Sequence, residues 1–526
     1  MDGGLSFGDG GLSFGDGGLQ FGDSGGIGTG ESGIGTLSDG APGCTGALCN
    51  VSMTDNCAGK NLPFTSITGV VYDPAGALPL YDVYVYIPGS TPDPIDPGNP
   101  ACTPCEAPAS GGPIIGTLTN EQGQFTLVQP NATSYGVPSG TSVPLVIQTG
   151  KWRKQITIPS VAACTTTAIP DPASPATSKL RLPANSSEGD MPIIAFTSGC
   201  DPAECFLRHV GISDSEFVPP TAPLPVAWTA TGTPVAGAGH VRFYTGYDNT
   251  AGGGGGRGGG GGTPASASMV TGGEPVASTY TWWSSSANLL ENDIVFNACE
   301  CNPNDRGATA YAAMDTYLNG GGRVFATHFY YNWFEPSPPA TNDLFSVASW
   351  RNPGLTPMNS ATSTEADTID QTFPKGAAFA TWLQDNGITT TLGSITLGDV
   401  RDDVNGILPA GCEATGTCLS TQWIYTTTPA MGLNAGPRYI SFNTPVAAPV
   451  ISQCGRAVFS DVHLSGTSNN ATFPMECTTN NPDPNGTHVT NEKALEFLFF
   501  DLSSCVQAES PDAGVAIPPP TQPPPK

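Results

Sequence analysis

The run Glu291–Phe334, ENDIVFNACECNPNDRGATAYAAMDTYLNGGGRVFATHFYYNWF, decides the fold. Asp293–Asn297 (DIVFN) is a short apolar stretch, too brief for a helix, and reads as a buried strand. Ala308–Asn319 then sets Tyr311, Met314, Tyr317 and Leu318 on one face at helical spacing. Gly320–Gly322 stops that helix, and Arg323–Phe329 (RVFATHF) is the next strand. Strand, helix and strand in this order make a βαβ unit, whose crossover is right-handed.

The same grammar continues in both directions. Upstream, Met191–Thr197 (MPIIAFT) reads as a buried parallel strand and Glu204–Val210 as a helical turn. Downstream come a helix at Ala377–Asn386 and strands at Gln422–Thr426, Arg438–Phe442 and Arg456–Asp461. A closing helix follows at Glu492–Leu502. Alternating elements over residues 191–505 predict an α/β domain with a doubly wound, flavodoxin-like sheet. The glycine run in 251–262 interrupts it as a disordered surface loop. It lacks the strand–glycine–helix setting and the Lys-Ser/Thr pair of a phosphate loop.

The 291–334 block, with the later RAVFSDVHLSG and a final helix, resembles the ThuA-like branch of the class I glutamine amidotransferase superfamily. In that branch a strand, a helix, a GGG turn and a strand ending in histidine follow one another. The superfamily mechanism does not carry over. A glutaminase needs a thiolate on the strand–helix turn, activated by a histidine that a carboxylate orients. The position that resemblance assigns to the cysteine is His328, and the later His463-Leu464-Ser465 lacks the carboxylate. What remains are His328, His463 and Asp461 as candidate acid–base groups and His328 with His463 as candidate zinc ligands. Glu300 is a further carboxylate of this set, and all four end or follow strands at the edge where open α/β sheets bind ligands. The competing reading is that both imidazoles are hydrogen-bonded structural groups. Tyr330 and Trp333 offer stacking faces for a sugar or, equally, plain packing beneath a loop.

Residues 65–160 follow a different pattern. Ser66–Tyr72, Tyr81–Ile87, Ile114–Thr119, Gln124–Val128, Val143–Thr149 and Lys151–Ile158 alternate or are β-branched, with turn clusters between them. Short strands without helical period predict an antiparallel β-sandwich over 44–165. ITGVVYDPAGALPLYDVYVYI and TNEQGQFTL resemble the carboxypeptidase-regulatory-like, or transthyretin-like, domain, which implies a spacer or adhesive stalk. Lys151-Trp152-Arg153-Lys154 reads as an exposed edge strand protected by charge. A connector occupies 166–190, and a Pro-rich disordered tail 506–526. Residues 1–43, with Phe7, Phe14 and Phe21 in a seven-residue repeat, read as a flexible tether. Chains of this arrangement resemble bacterial surface proteins.

Composition sets the outer limits. Of 526 residues only 18 are basic and 45 acidic, a net charge of −27 that repels phosphate backbones and excludes nucleic acid as a partner. No stretch of ~18 apolar residues is present to span a membrane. Fifteen cysteines point to disulfides and an oxidising compartment. Candidates are Cys102, Cys105, Cys200, Cys205, Cys299, Cys301, Cys412, Cys418, Cys454 and Cys477, with the Cys102-x-x-Cys105 pair expected as a loop bridge and Cys299 and Cys301 expected in disulfides. His209, His240 and His488 have no ligand-spaced companion and read as surface residues. The opening MDGGLSFGDGG shows no basic or apolar leader segment; the cysteines favour a signal, a lipoprotein one among the candidates, that has been removed or lies upstream, over the alternative of an intracellular protein. The expectation is an exported or surface-tethered binding or structural protein whose partner is a cell-surface carbohydrate or surface protein. The alternatives are a metal-assisted or acid–base enzyme acting on a sugar derivative, with zinc as cofactor, and an extracellular assembly component.

Overall fold

A computed structural model of the chain describes residues 48–49, 51–53, 55–102, 109–129, 136–169, 179–198, 203–218, 239–245, 282–299, 306–335, 343–351, 360–361, 364–464, 477 and 487–506. The heptad repeat, the glycine run, the Pro-rich tail, Cys105, Cys200, Glu300 and Cys301 lie outside these residues.

The first half is β-structure. Strands β1 (Val51–Ser52), β3 (Tyr84–Pro88), β4 (Pro113–Leu118), β6 (Ser139–Thr149) and β7 (Trp152–Val161) form one sheet in the order β1-β6-β3-β4, with β7 also on β6. A second sheet joins β5 (Gln124–Val128), β2 (Ser66–Tyr72) and β8 (Thr166–Ile169), with β9 (Leu180–Arg181) beside the end of β2. Along β5, Phe125 and Leu127 point inward and Gln124, Thr126 and Val128 outward, the period-two alternation of a half-buried strand. Ile67, Val71, Phe125 and Leu127 share one core with Val85, Ile87, Leu145 and Ile147 of the other sheet. The turn before β5 depends on Gly123 at φ +67, where a Cβ would come within 2.6 Å of the Val71 carbonyl. The expected connector at 166–190 is partly strand: β8 and β9 pair in parallel with β2 and complete the second sheet.

The second half is a ten-stranded mixed sheet. Its strands are β10 (Ile194–Ser198), β11 (Phe217–Val218), β12 (Val241–Thr245), β13 (Ile294–Asn297), β14 (Arg323–Thr327), β17 (Glu365–Ile369), β18 (Ser394–Leu397), β21 (Thr421–Thr426), β22 (Gly436–Thr444) and β23 (Gly455–Ser460). The order is β11-β12-β10-β13-β14-β23-β22-β21-β17-β18. From β11 to β23 neighbours are parallel, and from β23 onward they are antiparallel. Short antiparallel pairs β15–β20 (Ala348–Trp350, Val404–Ile407) and β16–β19 (Ser360–Ala361, Val400–Arg401) lie outside this sheet.

Strands β13 and β14 are buried throughout, as parallel strands covered on both faces must be. On one side α2 (Ser286–Leu290) and α3 (Gly307–Asn319) share a core with Val295, Val324 and Ala457, and the expected face of α3 (Tyr311, Met314, Tyr317, Leu318) is the buried one. On the other side α1 (Glu204–His209), α4 (Pro374–Asp385) and α5 (Thr487–Ser503) contribute Phe206, Phe379 and Phe499 to a core continuous with that of the β-region. Strands β21 and β22 fall where the sequence places strands, but their antiparallel direction and the strands β17 and β18 beyond them are not what a doubly wound sheet implies. In β17 the inward positions include Glu365 and Asp367, so its alternation carries no apolar signal.

Several contacts weld the two regions. Trp382 Nε1 donates to the Pro79 carbonyl at 2.7 Å. Lys375, buried, bridges Asp82 of the β-region (3.1 Å) and Asp501 of α5 (2.6 Å). The 151–154 segment is not an exposed basic edge. Trp152 is wholly buried against Phe500, and Lys151, Arg153 and Lys154 pair with Asp293, Asp190 and Glu188.

The described disulfides are Cys57–Cys164, Cys102–Cys454, Cys205–Cys477 and Cys412–Cys418. Only the last is local. Cys102 crosses to the loop before β23 instead of closing on its CxxC neighbour, because Ala101 packs directly on the Gly321 turn of the α/β region. Cys299 is a buried thiol, contrary to the expected bridge, because its sulfur turns inward onto an imidazole.

Candidate metal centre at the carboxyl edge of the sheet

The parallel register aligns the carboxyl ends of β13, β14 and β23: Asn297 lies opposite Ala326, and Thr327 opposite Ser460. The residues that follow therefore emerge side by side. After β13 comes Ala298, then Cys299, fully buried. After β14 the chain enters a tight 3₁₀ turn, His328–Trp333, whose first residue has φ +50. A histidine in the left-handed region is uncommon, and such a conformation persists only where the surroundings fix it. After β23, Val462 bridges Val400, and the His463 backbone is held by the Asp399 carbonyl (3.3 Å) and by Asn491 Nδ2 on its own carbonyl (2.6 Å).

These three ends bring Cys299, His328 and His463 together. Cys299 Sγ is 3.1 Å from His328 Nδ1. The two imidazole centroids are 3.9 Å apart, tilted by 31°. One ligand atom from each of the three residues lies within 4.8 Å of the others. Cys299 and His328 are buried and His463 is half-buried, so the cluster opens on the His463 side. Burial, then the neighbouring His463 and Arg401, holds His328 well below its ordinary pKa. A neutral ring keeps a lone pair available to a cation. His328 Nε2 has no hydrogen-bond partner among the described residues.

Arg401 is itself committed. It binds Asp403 through two nitrogens (2.8 and 2.9 Å) and lies over the Phe329 ring at 4.3 Å. Asp461, the third candidate acid–base group, is fully buried, and its Oδ2 accepts from the backbone N–H groups of Asp403 and Val404. Burial, with Asp403 beside it, pushes its carboxyl well above the usual range. Asp461 thus anchors the 401–404 loop that carries Arg401 toward His328.

Tyr330 and Trp333 are fully buried. With Trp283 their rings enclose the Arg306 guanidinium at 4.6–4.8 Å, and Arg306 also donates to Asn332 (2.5 Å). The Tyr330 hydroxyl is 3.2 Å from Thr197 Oγ1. The stacking faces considered for a sugar are therefore turned to a side chain of this protein. His209 is half-buried, 2.9 Å from Glu492, while His240 is 3% exposed and is not the surface residue expected. The His488 side chain lies outside the described part of the structure.

Sequence reasoning placed His328 and His463 at one edge but not Cys299 with them. Its position two residues past a buried parallel strand, like His328 and His463 just past theirs, was the available signal.

No family model matches this chain, and neither does any curated protein. Among solved structures, a protein described as ThuA-like from Bacteroides uniformis aligns over 46% of this chain and 82% of its own, with 10% identity and a TM-score of 0.25. A superposition that loose carries no argument about fold or site.

Proposed function

We propose that Cys299, His328 and His463 hold one zinc ion and that the chain is a metal-dependent enzyme acting on a small polar substrate. The observation that carries this reading is the convergence of one thiol and two imidazoles from three strand ends within 4.8 Å. A tetrahedral ion with Zn–S of ~2.3 Å and Zn–N of ~2.0–2.1 Å sets its ligands about 3.3–3.6 Å apart. The 3.1 Å sulfur–nitrogen separation and the 4.8 Å outer limit bracket that spacing. Three protein ligands leave a fourth position for water or substrate, where zinc acts as a Lewis acid and lowers the pKa of bound water. A thiolate–imidazolium nucleophile is less well supported, because burial holds His328 uncharged.

The reading extends to the architecture. The β-region is a carboxypeptidase-regulatory-like sandwich serving as a spacer, supported by its two sheets around a shared core. The α/β-region is ThuA-like, supported by the parallel order β12-β10-β13-β14-β23, in which chain order runs 2-1-3-4-5 as in flavodoxin-like sheets. The oxidised cysteines support an extracytoplasmic location, and no described helix is long and apolar enough to cross a membrane.

The test is metal analysis of natively purified protein beside Cys299→Ser and the His328→Ala/His463→Ala double variant. One zinc per chain, lost in both variants while their folds persist by circular dichroism, is expected. Wild type that takes up no zinc on dialysis against it, or variants that retain it, would sink the proposal.

A further inference from the structure

A second polar site lies well away from the metal centre in sequence and uses none of its residues. A cleft of about 400 Å³ opens between the Pro92–Pro97 segment, β7, the Ser186–Met191 segment and His240, just before β12. One wall is apolar, made by Pro92, Ile95 and Pro97. The facing wall presents Arg153, Glu188, Asp190 and His240.

Every charge on that wall is already matched. Arg153 pairs with Asp190 at 2.8 Å, and Glu188 with Lys154 and Arg181 at 3.0 and 2.8 Å. The His240 imidazole is fixed from behind. Glu216, 3% exposed, accepts from Ser186 N and Oγ on one oxygen and from His240 N and Nδ1 on the other. Those bonds lower the Glu216 pKa against the cost of burial, so the carboxylate only accepts and Nδ1 carries the proton. The Ser186 and Ser187 hydroxyls, whose protons go to Glu216 and Asn185, keep lone pairs for a donor, and Gln155, exposed on the rim, offers both a donor and an acceptor.

We infer that this cleft binds a neutral, polyhydroxylated ring, a single sugar unit, with one face on the proline wall and its hydroxyls on the facing polar groups. An anion finds no unmatched cation there, and a cation finds no unmatched carboxylate. A wholly apolar ligand would strip water from polar groups without replacing its hydrogen bonds. A molecule with an apolar face and paired donors and acceptors satisfies both walls.

The experiment uses the full chain and a panel of methyl glycosides (glucose, galactose, mannose and N-acetylglucosamine) followed by saturation-transfer NMR. The variants are Ser187→Trp, which fills the cleft from an exposed position, and Gln155→Ala, which trims its rim. Saturable binding of at least one glycoside is expected, with Kd on the order of 1 mM. It should be lost in Ser187→Trp, weakened in Gln155→Ala, and unchanged in the His328→Ala/His463→Ala variant, with melting temperatures of the two cleft variants within a degree or two of wild type. Absence of saturable binding for the whole panel, binding undiminished in Ser187→Trp, or displacement by inorganic phosphate would each overturn the assignment.

Discussion

Paired serine substitution of Cys102 and Cys454 removes a bridge whose worth follows from connectivity. The two cysteines are 352 residues apart, but Cys205–Cys477 cross-links the same stretch. With that second bridge intact, the circuit closed by Cys102–Cys454 runs about 103 residues from Cys102 to Cys205 and about 23 from Cys454 to Cys477. Chain entropy then gives the bridge about 4.9 kcal/mol at 25 °C. With Cys205–Cys477 also removed, the circuit grows to 352 residues and the same bridge contributes about 5.8 kcal/mol. Cys57–Cys164 shortens the smaller circuit only slightly. Equilibrium urea denaturation of wild type, each paired variant and the quadruple variant forms a double-mutant cycle. Losses of roughly 3–5 kcal/mol for Cys102/Cys454 are expected, since entropic values are upper limits. The cycle should show a coupling near 0.9 kcal/mol, each bridge being worth more in the absence of the other. A loss below ~1 kcal/mol, or coupling of the opposite sign, would refute the reasoning.

Other expectations follow from buried charges and close approaches. Burial raises Glu496 to about 8, and Asp73, to which it is hydrogen-bonded, also lies above its ordinary value; Lys493 faces both. The folded state therefore holds a proton that the unfolded chain releases near pH 4.5. This contribution is full below that pH and is lost as pH rises through about 8, a swing of order 5 kcal/mol at most. Glu496→Gln should flatten melting temperature against pH between 5 and 8, and an unchanged slope would count against the pairing. Lys375→Met strands Asp82 in the interior, while Asp501 keeps Arg456 at 3.0 Å; it should cost about 3–5 kcal/mol in urea denaturation, largely recovered by adding Asp82→Asn. Gly150, at φ +53, would place a Cβ 1.8 Å from the Ser503 carbonyl. Gly150→Ala should cost roughly 1–3 kcal/mol by the same assay, and a neutral result would mean the β6–β7 tip does not rest on α5.

The 291–334 block was legible because every signal in it agrees: strand, amphipathic helix, glycine stop and strand fall within a residue or two of their observed places, apart from the last. Arg323–Phe329 ends as a strand at Thr327, since local pattern does not reveal that His328 turns into the left-handed region. The parallel strands are continuous apolar runs and announce themselves. Strand β17 of the antiparallel half does not, because it buries Glu365 against Arg438 at 2.8 Å, and a paired interior charge looks like a surface one in sequence. The Cys102–Cys105 bridge was misassigned for a related reason, whereas Cys412 and Cys418 do pair. Cysteine spacing speaks of neighbours along the chain, whereas Cys102 and Cys205 find partners set by tertiary contact. At the candidate centre the two histidines could be placed on one edge from their strands, but their meeting with Cys299 depends on strand order and register, which no local pattern encodes.

Helix α5 has a consequence for how this molecule comes into being. Its Phe497 stacks on Tyr81, Phe500 meets Trp152 and Phe499 meets Phe296, so it completes the interior of both regions. The strands it completes are synthesised first, and about 400 residues separate Tyr81 from Phe497. Until those late phenylalanines emerge, neither region can close its apolar interior. The interior of both regions therefore closes last, after both cysteines of each long-range bridge have been made.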